Sequence, residues 1–174
     1  MTAIRRNRKG GFTLVEILIV VIILGILAAI VIPQFTNAST DARKNSLASQ
    51  LQTMRSQFEL YKLQHNDKLP TVFQTTGTKT DASGCWVGMV GQTDVSGATT
   101  GTDFGPYLQQ TPSNPLNQGV DIVVGNADLV YGAGSGTTTA GWLMNNVTGK
   151  IWATSTKFTK VYNESDPNAA SNDL

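Results

Sequence analysis

Between Phe12 and Ile32 lie 21 residues in which only Thr13 and Glu16 are polar. At 1.5 Å per residue a helix of that length is about 31 Å long, the thickness of a bilayer's hydrocarbon core. Arg5, Arg6, Arg8 and Lys9 precede the run and no cation follows until Arg43. Positive charge is retained on the cytoplasmic side, so this asymmetry places Met1–Gly11 inside and everything after Pro33 outside. Three segments satisfy these constraints: a cleaved secretory signal, a plain signal anchor, and a helix that is kept for a further purpose. A secretory signal has a shorter apolar core followed by a small-x-small cleavage site, and here the run continues past Ala28 and Ala29. A plain anchor gives no reason for a carboxylate at Glu16, since a charge deep in the bilayer costs roughly 2.5–3.5 kcal/mol on insertion scales.

The third possibility has a known counterpart. "KGGFTLVEILIVVIILGILAAIVIPQF", residues 9–35, resembles the N-terminus of the type IV pilin and pseudopilin superfamily. The shared features are a short basic leader, glycine followed by phenylalanine, a glutamate four residues after that phenylalanine, and a long apolar helix. Gly25 and Pro33 stand where the family softens that helix. The resemblance implies a leader, residues 1–11, cut after Gly11 by a prepilin peptidase, which then methylates the new amine of Phe12. It implies that residues 12–33 stay as a transmembrane and polymerisation helix, held in the inner membrane before assembly. It also implies a role for Glu16, pairing with the Phe12 amine of an adjacent chain displaced by about one turn and so setting the stagger of subunits. The alternative places Glu16 in the headgroup layer, solvated or protonated, with no role in assembly. Pro33 removes one helical hydrogen bond, and a kink or a locally melted stretch is expected there.

Beyond Pro33 the period of the apolar residues changes. Leu47, Leu51, Met54, Phe58 and Tyr61 follow spacings of four and three, one face of a helix. Residues 34–66 are therefore expected to be an amphipathic continuation packed on a following domain, with Arg55 and Glu59 placed for an i,i+4 ion pair. "HNDKLP" then supplies breakers up to Pro70. His65, the only histidine, is expected at the helix end as a partner of the terminal carbonyls.

Residues 67–174 form the head. Thirteen of the 17 glycines fall between Gly84 and Gly149, which argues for loops and short strands. "CWVGMV", "DIVVG", "GWLMN" and "KIWAT" are the strand candidates, rich in β-branched and aromatic residues. "GWLMNNVTGKIWAT" reads as a hairpin with Asn146 and Gly149 in its turn. The expected fold is α+β, a pilin fold in which a small antiparallel sheet covers the Leu47–Tyr61 stripe. Cys85, the only cysteine, lies beside Trp86 and Val87 and reads as a buried apolar residue.

Function follows from what the head lacks as well as from the helix. Charged residues are 14% of the chain, and once the four leader cations are set aside nine basic residues face twelve acidic ones. That balance gives no reason to expect nucleic acid as a partner. No phosphate loop, metal-spaced His/Cys cluster or nucleophile motif is present, so no enzyme is expected; a membrane-anchored periplasmic enzyme is the distant alternative. "GPYLQQTPSNPLN", residues 105–117, resembles the segment before the sheet in the major pseudopilins of type II secretion. Asn114 and Leu116 stand where those proteins carry aspartate and tryptophan. The resemblance implies a structural subunit of a secretion pseudopilus that supports protein export. Its partners would be further copies of itself, other pseudopilins, the prepilin peptidase and the inner-membrane assembly platform. The alternative is a major or minor pilin of an extracellular type IV pilus serving adhesion, motility or DNA uptake. "ESDPNAASND", residues 164–173, gathers Glu164, Asp166, Asn168, Asn172 and Asp173; a solvated, frayed tail is expected there, with a structural calcium site, as in major pseudopilins, the alternative. No other cofactor is expected.

Overall fold

A computed structural model describes residues 11–80, 84–135 and 139–172. The basic residues of the leader, and Asp173 of the tail, lie outside the described residues. The chain divides into two units within its first helix, one reaching Thr40 and one running from Asp41 to Leu174.

The first unit is the apolar part of α1, which spans Leu14–Gln64 in 51 residues. Helix continues through Pro33 without a melted stretch. Proline there leaves the carbonyl of Ala29 without its usual N–H donor. Fifteen large apolar side chains between Leu14 and Ile32 stand 41–81% exposed. At about 2 kcal/mol for each such side chain taken out of water, roughly 30 kcal/mol favours covering them. This is more than the ~5–15 kcal/mol that holds a typical domain together. Such a helix does not persist bare in water; lipid or other helices must enclose it.

The second unit begins within α1 and uses its amphipathic half as a core element. The five residues with the expected spacing, Leu47, Leu51, Met54, Phe58 and Tyr61, are the buried residues of the helix. They share one apolar cluster with Ile122, Val124, Trp142, Met144, Ile151 and Ala153 of the sheet. The helix stops where Asn66 and Asp67 turn left-handed, φ 54° and 61°. The amide of Asp67 reaches back to the carbonyl of Lys62 at 2.8 Å, a Schellman-type closure that satisfies one of the helix's terminal acceptors.

The sheet has the order β1 (Gly77–Lys79), β2 (Ile122–Gly125), β3 (Trp142–Asn145), β4 (Ile151–Ala153). The three strands expected from "DIVVG", "GWLMN" and "KIWAT" form, and β3–β4 is the expected antiparallel hairpin. Gly149 takes φ 76° in its turn. The sheet itself is mixed, not antiparallel throughout, because β2 and β3 pair in parallel, Ile122 opposite Trp142. The chain between them, residues 126–141, is long enough for the crossover that parallel neighbours need. Both faces are filled: Val123, Leu143 and Trp152 point away from α1 into a smaller cluster with Leu129 and Val161.

"CWVGMV" does not form a strand. Val87–Val90 is a single helical turn, α2. Cys85, Trp86, Gly88 and Met89 are buried while Val87 is exposed, a helical spacing that no strand could present to one core. Packing here overrides the β propensity of the valines. The "GPYL" segment docks on this turn, with the amides of Tyr107 and Leu108 both donating to the carbonyl of Met89, at 2.9 and 2.8 Å.

Candidate assembly site

The N-terminal end of α1 is built from the stretch "TLVE". Thr13 precedes the first helical residue and Glu16 is the third residue of the helix. Glu16 Oε2 accepts from the Thr13 amide and from Thr13 Oγ1, both at 2.8 Å, and the Glu16 amide donates to Thr13 Oγ1 at 3.3 Å. This is a reciprocal capping box, which satisfies donors that a helix start otherwise leaves open. Thr-x-x-Glu before an apolar run is the sequence pattern of that box, a local signal for this end of the helix beyond the apolar run itself. The carboxylate is therefore partly compensated within its own chain, and by the partial positive charge of the helix N-terminus. Both side-chain bonds fall on Oε2, which leaves Oε1 without a partner among the described residues. Phe12, next to this cap, is 85% exposed.

Gly11 and Gly25 are glycines that the fold does not require. A Cβ placed at either meets nothing within 4 Å, and neither has a positive φ. Gly25 inside a helix costs about 1 kcal/mol relative to alanine.

The other flagged residues have structural duties. His65 is buried and stacks on Tyr61 at 3.7 Å between centroids. Its Nδ1 lies 2.8 Å from the Tyr61 carbonyl. A carbonyl only accepts, so Nδ1 carries a proton and caps the last turn, as its position suggested. Nε2 meets Thr93 Oγ1 at 3.0 Å. Cys85 is buried. Arg55 does not pair with Glu59. It forks onto Glu164, Nη1 to Oε2 at 2.8 Å and Nη2 to Oε1 at 2.7 Å, a bidentate geometry that an i,i+4 pair on a helix surface cannot match. That partner raises the Arg55 pKa further above its usual value. Glu59 turns instead to Lys62, at 3.7 Å.

The oxygen-rich tail is tied down and not frayed. Glu164 is committed to Arg55, Asn168 Oδ1 accepts from Lys44 Nζ at 2.7 Å, and Asp166 Oδ1 accepts from the Asn168 amide at 3.2 Å. Asn172 is fully buried, and its Oδ1 accepts from the Asn163 amide at 2.7 Å. These oxygens serve separate partners. No group of three or more His, Cys, Asp or Glu that could hold a metal occurs among the described residues.

One comparison with known proteins falls on this N-terminal region. Residues 6–32 match the family model of the prokaryotic N-terminal methylation motif. The chain is 40% identical over 71 residues to the type II secretion system core protein G of Dickeya chrysanthemi, covering 41% of this chain and 46% of that protein. It is 39% identical over 59 residues to the core protein G of Pseudomonas aeruginosa, covering 34% and 42% respectively. The core protein G of Klebsiella pneumoniae is 37% identical over 68 residues, 39% of this chain and 48% of that protein. The chain thus spans about half the length of the curated relatives it matches. No solved structure matches it. The chain thus carries the N-terminal methylation motif at residues 6–32, and over 59–71 residues it is similar to the core protein G of type II secretion systems.

Proposed function

We propose that this protein is a structural subunit of a type II secretion pseudopilus, supporting protein export by polymerisation and not by catalysis. The observation that carries the reading is the exposed apolar face of α1 with a capped glutamate at its head. The methylation motif at residues 6–32 and the likeness to core protein G over 71 residues support it. A prepilin peptidase removes residues 1–11, and Phe12 becomes an N-methylated α-amino terminus. Gly11 serves the peptidase, which needs close access to the backbone. Before assembly the helix crosses the inner membrane with its N-terminus cytoplasmic and its head periplasmic.

Assembly exchanges lipid for neighbouring helices around α1. Both surroundings are apolar, so the exchange need not expose the helix to water. The Phe12 amine of one chain then meets Glu16 of the next. Oε2 can keep the capping box while Oε1 accepts the amine. Where the two compete, the ion pair prevails: two charges 4 Å apart gain about 4 kcal/mol at an effective dielectric of 20, against about 1 kcal/mol for a cap. The partners are further copies of this chain, other pseudopilins, the peptidase and the inner-membrane assembly platform. The reading needs no cofactor and no nucleic acid.

Deleting the gene in its host and restoring it on a plasmid tests the reading. Export of folded proteins should be lost and regained. Loss of surface fibres, adhesion or twitching with export intact would overturn it in favour of an extracellular pilus.

A further inference from the structure

The last ten described residues are held differently from the rest of the head. The apolar core ends at Tyr162. Beyond it Ser165–Asn168 are exposed, and the segment closes on itself. Asn172 Nδ2 donates to the carbonyls of Asn163 and Asp166, at 3.4 and 3.1 Å, while Asn172 Oδ1 takes the Asn163 amide. Side-chain bonds to α1 are made at two points. Arg55 forks onto Glu164, sharing Nη2 with the Ile151 carbonyl at 2.8 Å, and Lys44 Nζ donates to Asn168 Oδ1 at 2.7 Å. Lys44 and Arg55 are eleven residues apart, about three helical turns, and so lie along one stripe of α1 beside the core stripe.

We propose that residues 163–172 form a strap, latched to α1 by Arg55–Glu164 and Lys44–Asn168, that opens as a unit while the rest of the head stays folded. Neither apolar cluster of the head includes a residue of this segment; an ion pair and one hydrogen bond tie it to α1, and buried Asn172 closes it on itself. The Arg55 and Glu164 side chains remain 41% and 18% exposed, so solvent and salt reach the latch. Opening takes Glu164 from Arg55, which keeps the Ile151 carbonyl, and leaves Lys44 with Asp41 at 3.4 Å. Segments with few apolar contacts open at lower free energy than the core around them.

Hydrogen exchange read by mass spectrometry on the full chain in detergent tests this. Glu164→Gln should speed exchange of the Asp166, Ala169 and Asn172 amides by at least about tenfold, the scale set by losing a charge-assisted hydrogen bond. Salt near 1 M, where the Debye length is about 3 Å, should speed the same amides in the unaltered chain. Amides from Leu47 to Tyr61 should not change in either case. Asn168→Ala, which removes only the far latch, should loosen the strap with the core intact. The proposal fails if strap and core amides exchange in step, if Glu164→Gln also unprotects the core, or if salt and both substitutions leave the strap unchanged.

Discussion

Asn114 shows how much of the head rests on single polar side chains. It is fully buried, and its Nδ2 donates to the carbonyls of Gly141 and Thr154 at 3.0 and 2.9 Å while its Oδ1 accepts from the Leu116 amide. It pins the loop after "GPYL" to the start of β3 and the end of β4. Aspartate is isosteric but has no donor when ionised, and would face two carbonyls with a charge. Asn114→Asp should therefore destabilise the head by about 3 kcal/mol or more, read from the guanidinium midpoint. Tyr61 presents the opposite case. Its hydroxyl is buried without a partner among the described residues, and a Cβ at Gly97, φ +85°, would come to 2.8 Å from it. Tyr61→Phe should stabilise by about 1 kcal/mol. Gly97→Ala should cost about 2 kcal/mol, part of it recovered in the double variant. Burial pushes the Tyr61 pKa up to about 12. The folded state thus holds this proton after the unfolded chain, with its pKa near 10, has released it. Stability is full below about pH 10 and falls as pH rises towards 12, a loss that Tyr61→Phe should lessen. None of this was legible in the sequence. Asn114 meets carbonyls 27 and 40 residues away, and no local pattern records such a meeting.

At the scale of elements, legibility tracked how many independent residues carried a signal. Five positions at helical spacing specified the buried face of α1, and all five are buried. Met54→Ala should cost about 3 kcal/mol in a denaturant titration, whereas Leu63→Ala, at a site 83% exposed, should stay within about 0.5 kcal/mol. The β3–β4 hairpin was legible for the same reason, two apolar runs joined by turn residues. Shorter signals failed. "CWVGMV" suited a strand by propensity, but its burial follows helical spacing, with Trp86 lying 6.4 and 5.6 Å from the Phe58 and Phe73 rings and Val87 exposed. The parallel pairing of β2 with β3 depends on the path of residues 126–141, which no strand pattern encodes. Arg55 passed over a helix neighbour for Glu164, 109 residues away, because two parallel charge-assisted bonds outweigh a surface pair worth about 0.3–0.5 kcal/mol.

For the whole molecule the open question is what Glu16 is for, since it has a duty inside its own chain and another proposed between chains. The two can be separated because glutamine also completes a capping box. In Glu16→Gln the amide oxygen still accepts from the Thr13 amide and hydroxyl, so the helix start should be preserved and circular dichroism in detergent unchanged. What disappears is the charge. If the ion pair with the neighbouring Phe12 amine sets the stagger, Glu16→Gln should insert in the membrane and be cut after Gly11 normally, with a mass showing Phe12 first and methylated, yet form no fibres on overexpression. Glu16→Val, which loses cap and charge together, should also fail to assemble and should begin its helix less firmly. Thr13→Val, which weakens the cap but keeps the carboxylate, should still assemble. Normal fibres from Glu16→Gln alongside failure of Thr13→Val would reverse the assignment: the carboxylate would then be there to start the helix, and the register of the polymer would have to come from the fit of the apolar side chains alone.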